Sequence, residues 1–267
     1  MNFPPLSENS WALITGSSSG IGEVFAKRFA REGWNVALVA RSTGKLEALG
    51  RSLETDNRIK ALVIPADLTD RDVPRQVYDA VRQKGIVVDA LVNNAGSGAA
   101  GRFSEVSLTD YLSMIDLNIR SLVELTHLFF PEMMTRRRGL ILNISSTACF
   151  QPLPFSSVYA ATKAFVTSFS EALWLETKGT GIRVLNLCPG LTKTDFGVRA
   201  GFPDFHLDPH AENPEQVVET AFRALRGNVP TAISGWKNKV LVFLERFVPH
   251  RLLLPAVMSI QKIRGHV

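Results

Sequence analysis

Short apolar runs alternate with amphipathic segments along most of the chain, and this alternation constrains the fold more than any other feature. The amphipathic segments lie near residues 20–31, 43–55, 71–84, 107–135, 156–177 and 213–226. The apolar runs lie at 11–16, 34–40, 60–66, 87–93, 139–145, 181–188 and 231–234. Most of these runs are too short for buried helices and are apolar on both faces, as strands covered on both sides are. The pattern predicts an α/β fold: a doubly wound parallel sheet (Rossmann fold) of about seven strands.

The alternation stops near residue 235, and the charge of the chain changes at the same place. The net charge is +5, and residues 236–267 carry six Lys or Arg against the single acid Glu245. We therefore predict one folded domain over 1–235 and a basic, amphipathic helical tail over 236–267. The near-neutral body argues against a nucleic-acid partner, whose binding surface would be basic over the fold itself.

Composition narrows the class further. With 45% hydrophobic and 21% charged residues, the chain reads as a globular protein. Its two cysteines, Cys149 and Cys188, form no CxxC or Cys/His cluster, so we expect two buried thiols, no disulfide framework and no metal site. No signal peptide and no apolar stretch of about 20 residues is found, which predicts a cytoplasmic protein.

A glycine turn, TGSSSGIG, follows the first predicted strand and opens the first predicted helix. Glycine allows a tight turn and a close backbone approach, and the N–H groups at a helix N-terminus suit a pyrophosphate. The turn with Gly16, Gly20 and Gly22 therefore predicts dinucleotide binding, although the same glycines would also serve a plain strand-to-helix turn.

Further motifs follow in order: NNAG at 93–96, Asn118 within the long helical segment, ISS at 144–146, YAATK at 159–163 and PG at 189–190. Together with TGxxxGIG, they resemble the short-chain dehydrogenase/reductase family over residues 8–230. A YxxxK pattern alone would be compatible with two surface residues. The ordered set is far more specific than any one of its motifs.

The resemblance implies a catalytic set of Asn118, Ser146, Tyr159 and Lys163. Tyr159 would donate the proton to a carbonyl oxygen, Ser146 would hold that oxygen, and Asn118 would hold a water of the proton relay. Residues i and i+4 share a helix face, so Lys163 can lie beside Tyr159 and hold the nicotinamide ribose. Bringing a tyrosine pKa from about 10 to 7 takes about 4 kcal/mol. A positive charge roughly 4–5 Å away supplies about that much in an effective dielectric of about 20. We therefore expect Lys163 to lower the pKa of Tyr159, and Ser145 to be structural.

The resemblance also implies the cofactor contacts. They are Gly16, Ser17, Ser18, Ser19, Gly20, Ile21, Gly22, Arg41, Ser42, Asp67, Leu68, Asn94, Ala95, Gly96, Tyr159, Lys163, Pro189, Gly190, Thr192 and Thr194. Asn93 or Asn94 would tie neighbouring strands together. Asp67 would accept from the adenine amino group, and a helix N-cap near 67–70 is a compatible alternative.

The end of the second strand bears on which cofactor is used. An acid there binds the 2′-hydroxyl of NAD, whereas a 2′-phosphate favours arginine. The sequence has Arg41 and no acid, with Ser17 and Ser42 able to assist, which predicts NADP(H) over NAD(H). A second marker of NADP in the family, a basic residue before the second glycine, is absent because Ser19 stands there.

The resulting prediction is an NADP(H)-dependent oxidoreductase that reduces a carbonyl or oxidises a secondary alcohol. The loop at 195–212 carries three phenylalanines, Phe196, Phe202 and Phe205, and the apolar segment at 149–155 is expected nearby. These residues suggest an apolar substrate, although packing within the loop would also explain its phenylalanines. His206 and His210 are expected to be solvated. The alternative from another class is a catalytically idle NADP-binding sensor or scaffold, and an epimerase or dehydratase fits less well.

The family pairs through the helices at 107–135 and 156–177, which implies a homodimer or homotetramer. The tail carries a broad apolar helical face formed by Val240, Leu241, Phe243, Leu244, Phe247 and Val248. With its basic flanks, this face predicts either peripheral contact with a membrane or packing over the substrate mouth or a sister subunit.

Overall fold

The computed structural model describes residues 9–201 and 211–263. Seven parallel strands form one sheet in the order β3-β2-β1-β4-β5-β6-β7. They are β1 Trp11–Thr15, β2 Asn35–Ala40, β3 Ala61–Pro65, β4 Val88–Asn93, β5 Gly139–Ile144, β6 Ile182–Cys188 and β7 Thr231–Ile233. The predicted doubly wound sheet is confirmed, and its strand order reverses between β1 and β4.

Helices cover both faces of the sheet. They are α1 Gly20–Arg31, α2 Thr43–Asn57, α3 Val73–Gln83, α4 Leu108–Ile115, α5 Ser121–Arg136, α6 Ser157–Glu176, α7 Phe196–Arg199, α8 Pro214–Gly227, α9 Trp236–Glu245 and α10 His250–Ile263. One apolar cluster packs α1, α2 and α8 on the sheet through Phe25, Phe29 and Phe222. A second packs α3, α5 and α6 on the other face through Val77 and Phe129. The strands are apolar on both faces because both faces are covered.

The long helix predicted over 107–135 runs from Leu108 to Arg136, but it is not a regular α-helix throughout. A π turn over Asp116–Arg120 separates α4 from α5. Such turns insert one extra residue into a helix and often occur at functional sites. Here the turn carries Asn118, which is 1% exposed. Hydrophobic periodicity did not reveal the π turn, because α5 carries apolar residues on most of its surface and has no sharp apolar face whose rotation could be seen.

The tail forms two helices, α9 and α10, separated at Pro249. Val242, Leu253 and Val257 are buried, whereas Phe243 and Phe247 are exposed. No helix within the described ranges is both long and apolar enough to cross a membrane. The predicted division of the chain into a domain over 1–235 and a tail over 236–267 stays a prediction. The connection from β7 to α9 is short, so it does not mark a boundary between two units.

Candidate active site

A cleft of about 2370 Å³ opens at the carboxyl ends of the strands, next to the point where strand order reverses. Pockets for drug-sized ligands usually measure about 300–1,000 Å³, so this cleft has room for more than one small molecule. We call the side formed by the turns after β1 to β4 and after β6 the cofactor half. We call the side formed by α4, residues 149–155, α7, α9 and α10 the substrate half.

The glycine turn of the cofactor half packs tightly against the turn after β4. Gly16 and Gly20 have φ of +67° and +60°, a region that favours glycine. A Cβ on Gly22 would lie 2.3 Å from the carbonyl oxygen of Gly16, so only glycine fits there. Asn94 Nδ2 donates to the carbonyl of Thr15 at 2.8 Å, which joins the two turns.

Most of the predicted cofactor contacts line this cleft. They are Gly16, Ser18, Ser19, Gly20, Ile21, Arg41, Ser42, Asp67, Leu68, Asn94, Ala95, Gly96, Tyr159, Lys163, Pro189, Gly190, Thr192 and Thr194. Ser17 and Gly22 do not line it. Ser17 is fully buried, and its hydroxyl has no hydrogen-bond partner among the described residues. Both residues therefore lie beneath the surface that a cofactor would touch.

The two asparagines of NNAG each tie β4 to a neighbouring strand. Asn93 Nδ2 donates to Asn143 Oδ1 on β5 at 2.9 Å, and the main-chain N of Asn94 donates to Thr15 Oγ1 on β1 at 2.9 Å. The sequence left open whether Asn93 or Asn94 joins neighbouring strands, and in the structure both residues do so.

Arg41 and Asp67 face each other at the far end of the cofactor half, with a distance of 3.8 Å between Arg41 NH1 and Asp67 Oδ2. Burial alone would raise the pKa of Asp67, but hydrogen bonds from Thr69 and the charge of Arg41 outweigh it and lower that pKa. The proposed helix N-cap near 67–70 is wrong, because α3 begins at Val73 and Asp72 occupies the N-cap position. Asp67 instead closes a local turn on Thr69.

Tyr159, Ser146 and Lys163 converge between the two halves of the cleft. The side chains of Tyr159 and Ser146 share a hydrogen bond. Lys163 Nζ donates to the carbonyl of Ile144 at 2.9 Å and lies 5.8 Å from the centre of the Tyr159 ring. Ser145 is structural, as predicted, because its hydroxyl donates to the carbonyl of Lys163 at 2.8 Å.

The expected lowering of the tyrosine pKa does not occur in the protein alone. Burial raises the pKa of Tyr159 to about 12, and the hydrogen bond with Ser146 only partly opposes it. Burial also lowers the pKa of Lys163 to about 8. The lysine is therefore already neutral at the pH where the tyrosine would ionise, so it cannot stabilise the tyrosinate there. The i, i+4 spacing correctly placed Lys163 beside Tyr159, but it did not indicate that both side chains would be buried.

Asn118 is held firmly beside this pair. Its Oδ1 accepts from the main-chain N of Ser97 at 2.9 Å, and its Nδ2 donates to the carbonyl of Ser97 at 2.9 Å and to Thr162 Oγ1 at 3.0 Å. Gly96 separates Asn118 from Lys163, since a Cβ there would lie 3.2 Å from Asn118 Oδ1 and 3.4 Å from Lys163 Nζ. The side-chain donors of Asn118 are both used, so the predicted water would have to bind elsewhere on this residue.

The substrate half contains residues that the sequence motifs did not identify. The tail residues that line it are Trp236, Lys237, Asn238, Leu241, Leu244, Glu245, Val248, Leu253, Ala256 and Val257. Of the predicted apolar loop, Phe196 packs on the Tyr159 ring with centroids 5.7 Å apart. Phe202, Phe205, His206 and His210 lie outside the described residues. The spacing of Leu241, Leu244 and Val248 on one helix face was the available signal for the tail's role.

Two contacts join the substrate half to the cofactor half. Asn238 at the start of α9 lies against Gly190, where a Cβ would be 2.3 Å from Asn238 Nδ2. Arg199 at the end of α7 reaches Ser19 of the glycine turn, with 3.5 Å between NH2 and Oγ. Arg199 also lines the cleft and places a positive charge near the turn predicted to hold a pyrophosphate. No sequence motif pointed to either residue.

Comparison with known proteins gives consistent relatives. A family model described as short chain dehydrogenase matches residues 10–201. The chain is 34% identical over 244 residues to the very-long-chain 3-oxoacyl-CoA reductase of Anas platyrhynchos, covering 87% of this chain and 76% of that protein. It is 36% identical over 218 residues to sulfoacetaldehyde reductase 2 of Chromohalobacter salexigens, covering 79% of this chain and 86% of that protein. A solved short-chain dehydrogenase from Sphingobium yanoikuyae, in complex with NADPH, matches with a TM-score of 0.79 and 33% identity, covering 84% of this chain and 87% of that one.

Proposed function

The chain belongs to the short-chain dehydrogenase/reductase family, and from that premise we propose that it is an NADP(H)-dependent reductase of an apolar carbonyl compound. The convergence of Tyr159, Ser146 and Lys163 in the cleft, with Asn118 buried beside them, carries this proposal. A sensor or scaffold would need the cofactor half alone and would have no use for a proton donor.

The proposed reaction divides its work between cofactor and side chains. When bound, the reduced nicotinamide would supply the hydride. Ser146 and Tyr159, which already share a hydrogen bond, would hold the carbonyl oxygen between them. Because the pKa of Tyr159 is raised to about 12, the residue carries its proton at neutral pH and is ready to donate it.

Lys163 would then stabilise the tyrosinate formed by proton transfer. With a pKa of about 8, this lysine is mostly charged at neutral pH. A charge 5.8 Å from the centre of the ring contributes about 3 kcal/mol in an effective dielectric of about 20. Lysine and tyrosine thus act as a coupled pair at the moment of transfer, although the resting tyrosine is not acidic.

The preference for NADP(H) rests on Arg41. Its side chain is 71% exposed at the cleft and is held only loosely by Asp67 at 3.8 Å, so it is free to turn toward a 2′-phosphate. The solved relative in complex with NADPH supports the same choice. Gly16 to Ile21 and the N-terminus of α1 would hold the pyrophosphate.

The proposal that the substrate is apolar is based on residues of the tail. Leu241, Leu244, Val248, Leu253 and Val257 line the same cleft as Tyr159 and give the substrate half an apolar wall. The two reductase relatives act on an acyl-CoA and on a small sulfonate aldehyde, to judge by their names, so family membership alone does not choose the substrate. The apolar wall favours a hydrophobic ketone.

We also propose that the protein is cytoplasmic and that the outer face of α9 makes peripheral contact with an anionic membrane. Phe243 and Phe247 do not line the cleft and are 57% and 70% exposed, and the bases Lys239 and Arg246 are exposed near them. An anionic surface attracts each such base by about 1 kcal/mol. Full-length protein should co-sediment with phosphatidylserine vesicles at low salt and be released at high salt. Failure to bind at low salt would leave the tail as a wall of the cleft only.

Self-association would use α4 and α6. Leu108, Leu112 and Ile115 form an exposed apolar stripe along α4, and Phe165 and Leu175 are exposed on α6. This pattern supports the proposed homodimer or homotetramer. Light scattering of wild type and of Leu112→Lys would test it, and a wild-type monomer would contradict it.

The function itself is tested by a screen of NADPH oxidation over ketones and aldehydes of graded apolarity. We expect turnover that rises with apolar surface on the substrate. Tight NADPH binding without oxidation by any carbonyl would instead favour the sensor or scaffold.

A further inference from the structure

The two cysteines of the chain lie 39 residues apart in sequence, yet their sulfurs are 3.9 Å apart in the fold. Cys149 ends the short 3₁₀ turn Thr147–Cys149, and Cys188 is the last residue of β6. Both are free thiols, and neither has a part in the reaction proposed above. The pair therefore needs an explanation of its own.

Main-chain hydrogen bonds hold the two segments together on either side of the thiols. The N of Ser145 donates to the carbonyl of Leu187 at 2.8 Å, and the N of Thr147 donates to the carbonyl of Pro189 at 2.9 Å. The second bond lies beyond the end of both strands, so it extends their pairing into the loops. The sulfurs consequently meet because the two backbone segments that carry them are paired.

The two thiols have unequal surroundings. Cys149 is half-buried and Cys188 is buried. A hydrogen bond from Cys188 lowers the pKa of Cys149 against the effect of burial, and hydrogen bonds with Thr167 and Ser145 lower it further. The pKa of Cys188 is raised by its bond to Cys149, by burial and by the Cys149 charge. Cys149 is thus the more accessible and more acidic thiol, and the buried Cys188 faces it.

We propose that Cys149 and Cys188 form a redox modification site, which a hydroperoxide oxidises to an intramolecular disulfide. The Cys149 thiolate attacks the outer peroxide oxygen, the O–O bond breaks, and the departing alkoxide or hydroxide takes up a proton. This leaves Cys149 as a sulfenic acid. The sulfur of Cys188 then attacks the sulfur of Cys149, the S–O bond breaks, and hydroxide leaves with the Cys188 proton as water. Two thiols have given two electrons to the peroxide.

The position of the bond would connect oxidation to the active site. A disulfide brings two sulfurs to about 2.05 Å, so the turn after Ser146 and the end of β6 must move toward each other. The loop Pro189–Gly190 follows Cys188 directly, and both Ser146 and this loop line the cleft. Oxidation is therefore expected to reduce turnover, and a reducing dithiol is expected to restore it.

The test counts thiols in full-length protein and does not depend on the proposed function. Protein is exposed to hydrogen peroxide, unfolded so that the buried Cys188 becomes accessible, alkylated with a maleimide and weighed by mass spectrometry, with and without reduction by dithiothreitol before alkylation. We expect both thiols to become unreactive toward maleimide together, and the protein mass to fall by two hydrogens. The protein should migrate as a monomer on a denaturing gel without reductant, and reduction should restore both thiols. With two cysteines in the chain, this result has one interpretation.

Single variants separate the two roles. In Cys188→Ala, a dimedone adduct should accumulate on Cys149, because the sulfenic acid has no partner. In Cys149→Ser, Cys188 should stay open to alkylation after unfolding of the peroxide-treated protein. Three results in wild type would each overturn the proposal. The first is oxidation of one thiol while the other still reacts with maleimide, and the second is a covalent dimer. The third is no reaction at peroxide levels that oxidise a free thiol.

Discussion

The cofactor half of the cleft and the substrate half use the chain in different ways. Each wall of the cofactor half is a turn of a few residues directly after one strand, held by contacts such as that of Asn94 with Thr15. The substrate half joins α4 to α9 and α10, which lie more than a hundred residues later in the chain. Chemistry in this protein is therefore encoded in local motifs, whereas the shape offered to the substrate depends on how distant segments pack. Variants that affect one half and leave the other unchanged test this division.

The largest effect is expected where the two halves meet. Tyr159→Phe keeps the ring that packs on Phe196 and removes only the proton donor. Loss of a general acid typically costs about 10²–10⁴-fold in rate, so turnover should fall by that factor while the Kd for NADPH stays unchanged. Steady-state kinetics and fluorescence titration of NADPH measure both.

Tyr78→Phe is a matched control. The Tyr78 hydroxyl donates to Glu132 at 2.9 Å and does not line the cleft, so this variant should keep full activity and lose about 1 kcal/mol of unfolding free energy. Near-normal turnover in Tyr159→Phe would remove this tyrosine from the mechanism.

Arg41→Asp should break the cofactor half alone. Losing a charge-assisted contact with the 2′-phosphate costs about 1.5–3 kcal/mol, roughly a tenfold to 150-fold weaker Kd for NADPH. Affinity for NADH should change little, and the KM for the ketone should not move. Calorimetric titration of both cofactors checks this. Equal affinity of wild type for NADPH and NADH would contradict the role given to Arg41.

A pair of neighbouring substitutions should affect only the substrate half. Leu241 lines the cleft, whereas Val240, one residue earlier on α9, does not. Leu241→Asp should raise the KM for a long apolar ketone several-fold, since about 1–2 kcal/mol of apolar contact is lost. Val240→Asp should leave KM unchanged and weaken binding to anionic vesicles. Identical effects of the two variants on KM would mean that α9 does not form a wall for the substrate.

The smallest effect is a shift in pH dependence. Since the pKa of Lys163 is about 8, this lysine is charged below that pH and loses its charge above it. The kcat/KM for ketone reduction should therefore fall as pH rises through about 8, whereas Tyr159, with a pKa of about 12, stays protonated. In Lys163→Arg the side chain keeps its charge, so any residual activity should decline only at higher pH. A decline at the same pH in both proteins would assign it to another group.

The same division explains what the sequence could predict. Strand and helix positions followed from apolar periodicity, because both faces of the sheet are covered and most strand positions are therefore apolar. The meeting of Ser146 with Tyr159 followed from motif spacing. The π turn around Asn118 did not, because α5 has no sharp apolar face on which the one-residue shift could be seen. The pKa of Tyr159 is raised because the surrounding structure buries the side chain, and the spacing of motifs in the sequence gives no information about burial. Packing of the tail over the substrate mouth was one of the alternatives that its apolar face predicted, and Leu241, Leu244 and Val248 of that face do line the cleft. The contact of Asn238 with Gly190 and the meeting of Cys149 with Cys188 were not predicted, because they depend on long-range packing.

The central claim, that this cleft moves a hydride from NADPH to a carbonyl carbon with Tyr159 supplying the proton, is tested most directly by following the hydrogen. Full-length protein loaded with NADPH that carries deuterium at the transferred position of C4 is mixed with an apolar ketone for a single turnover. The account predicts an alcohol with one deuterium on its carbinol carbon, formed by wild type and not by Tyr159→Phe holding the same amount of cofactor. An alcohol without the label, or wild-type protein that keeps its labelled NADPH intact in the presence of every ketone tried, would contradict the account.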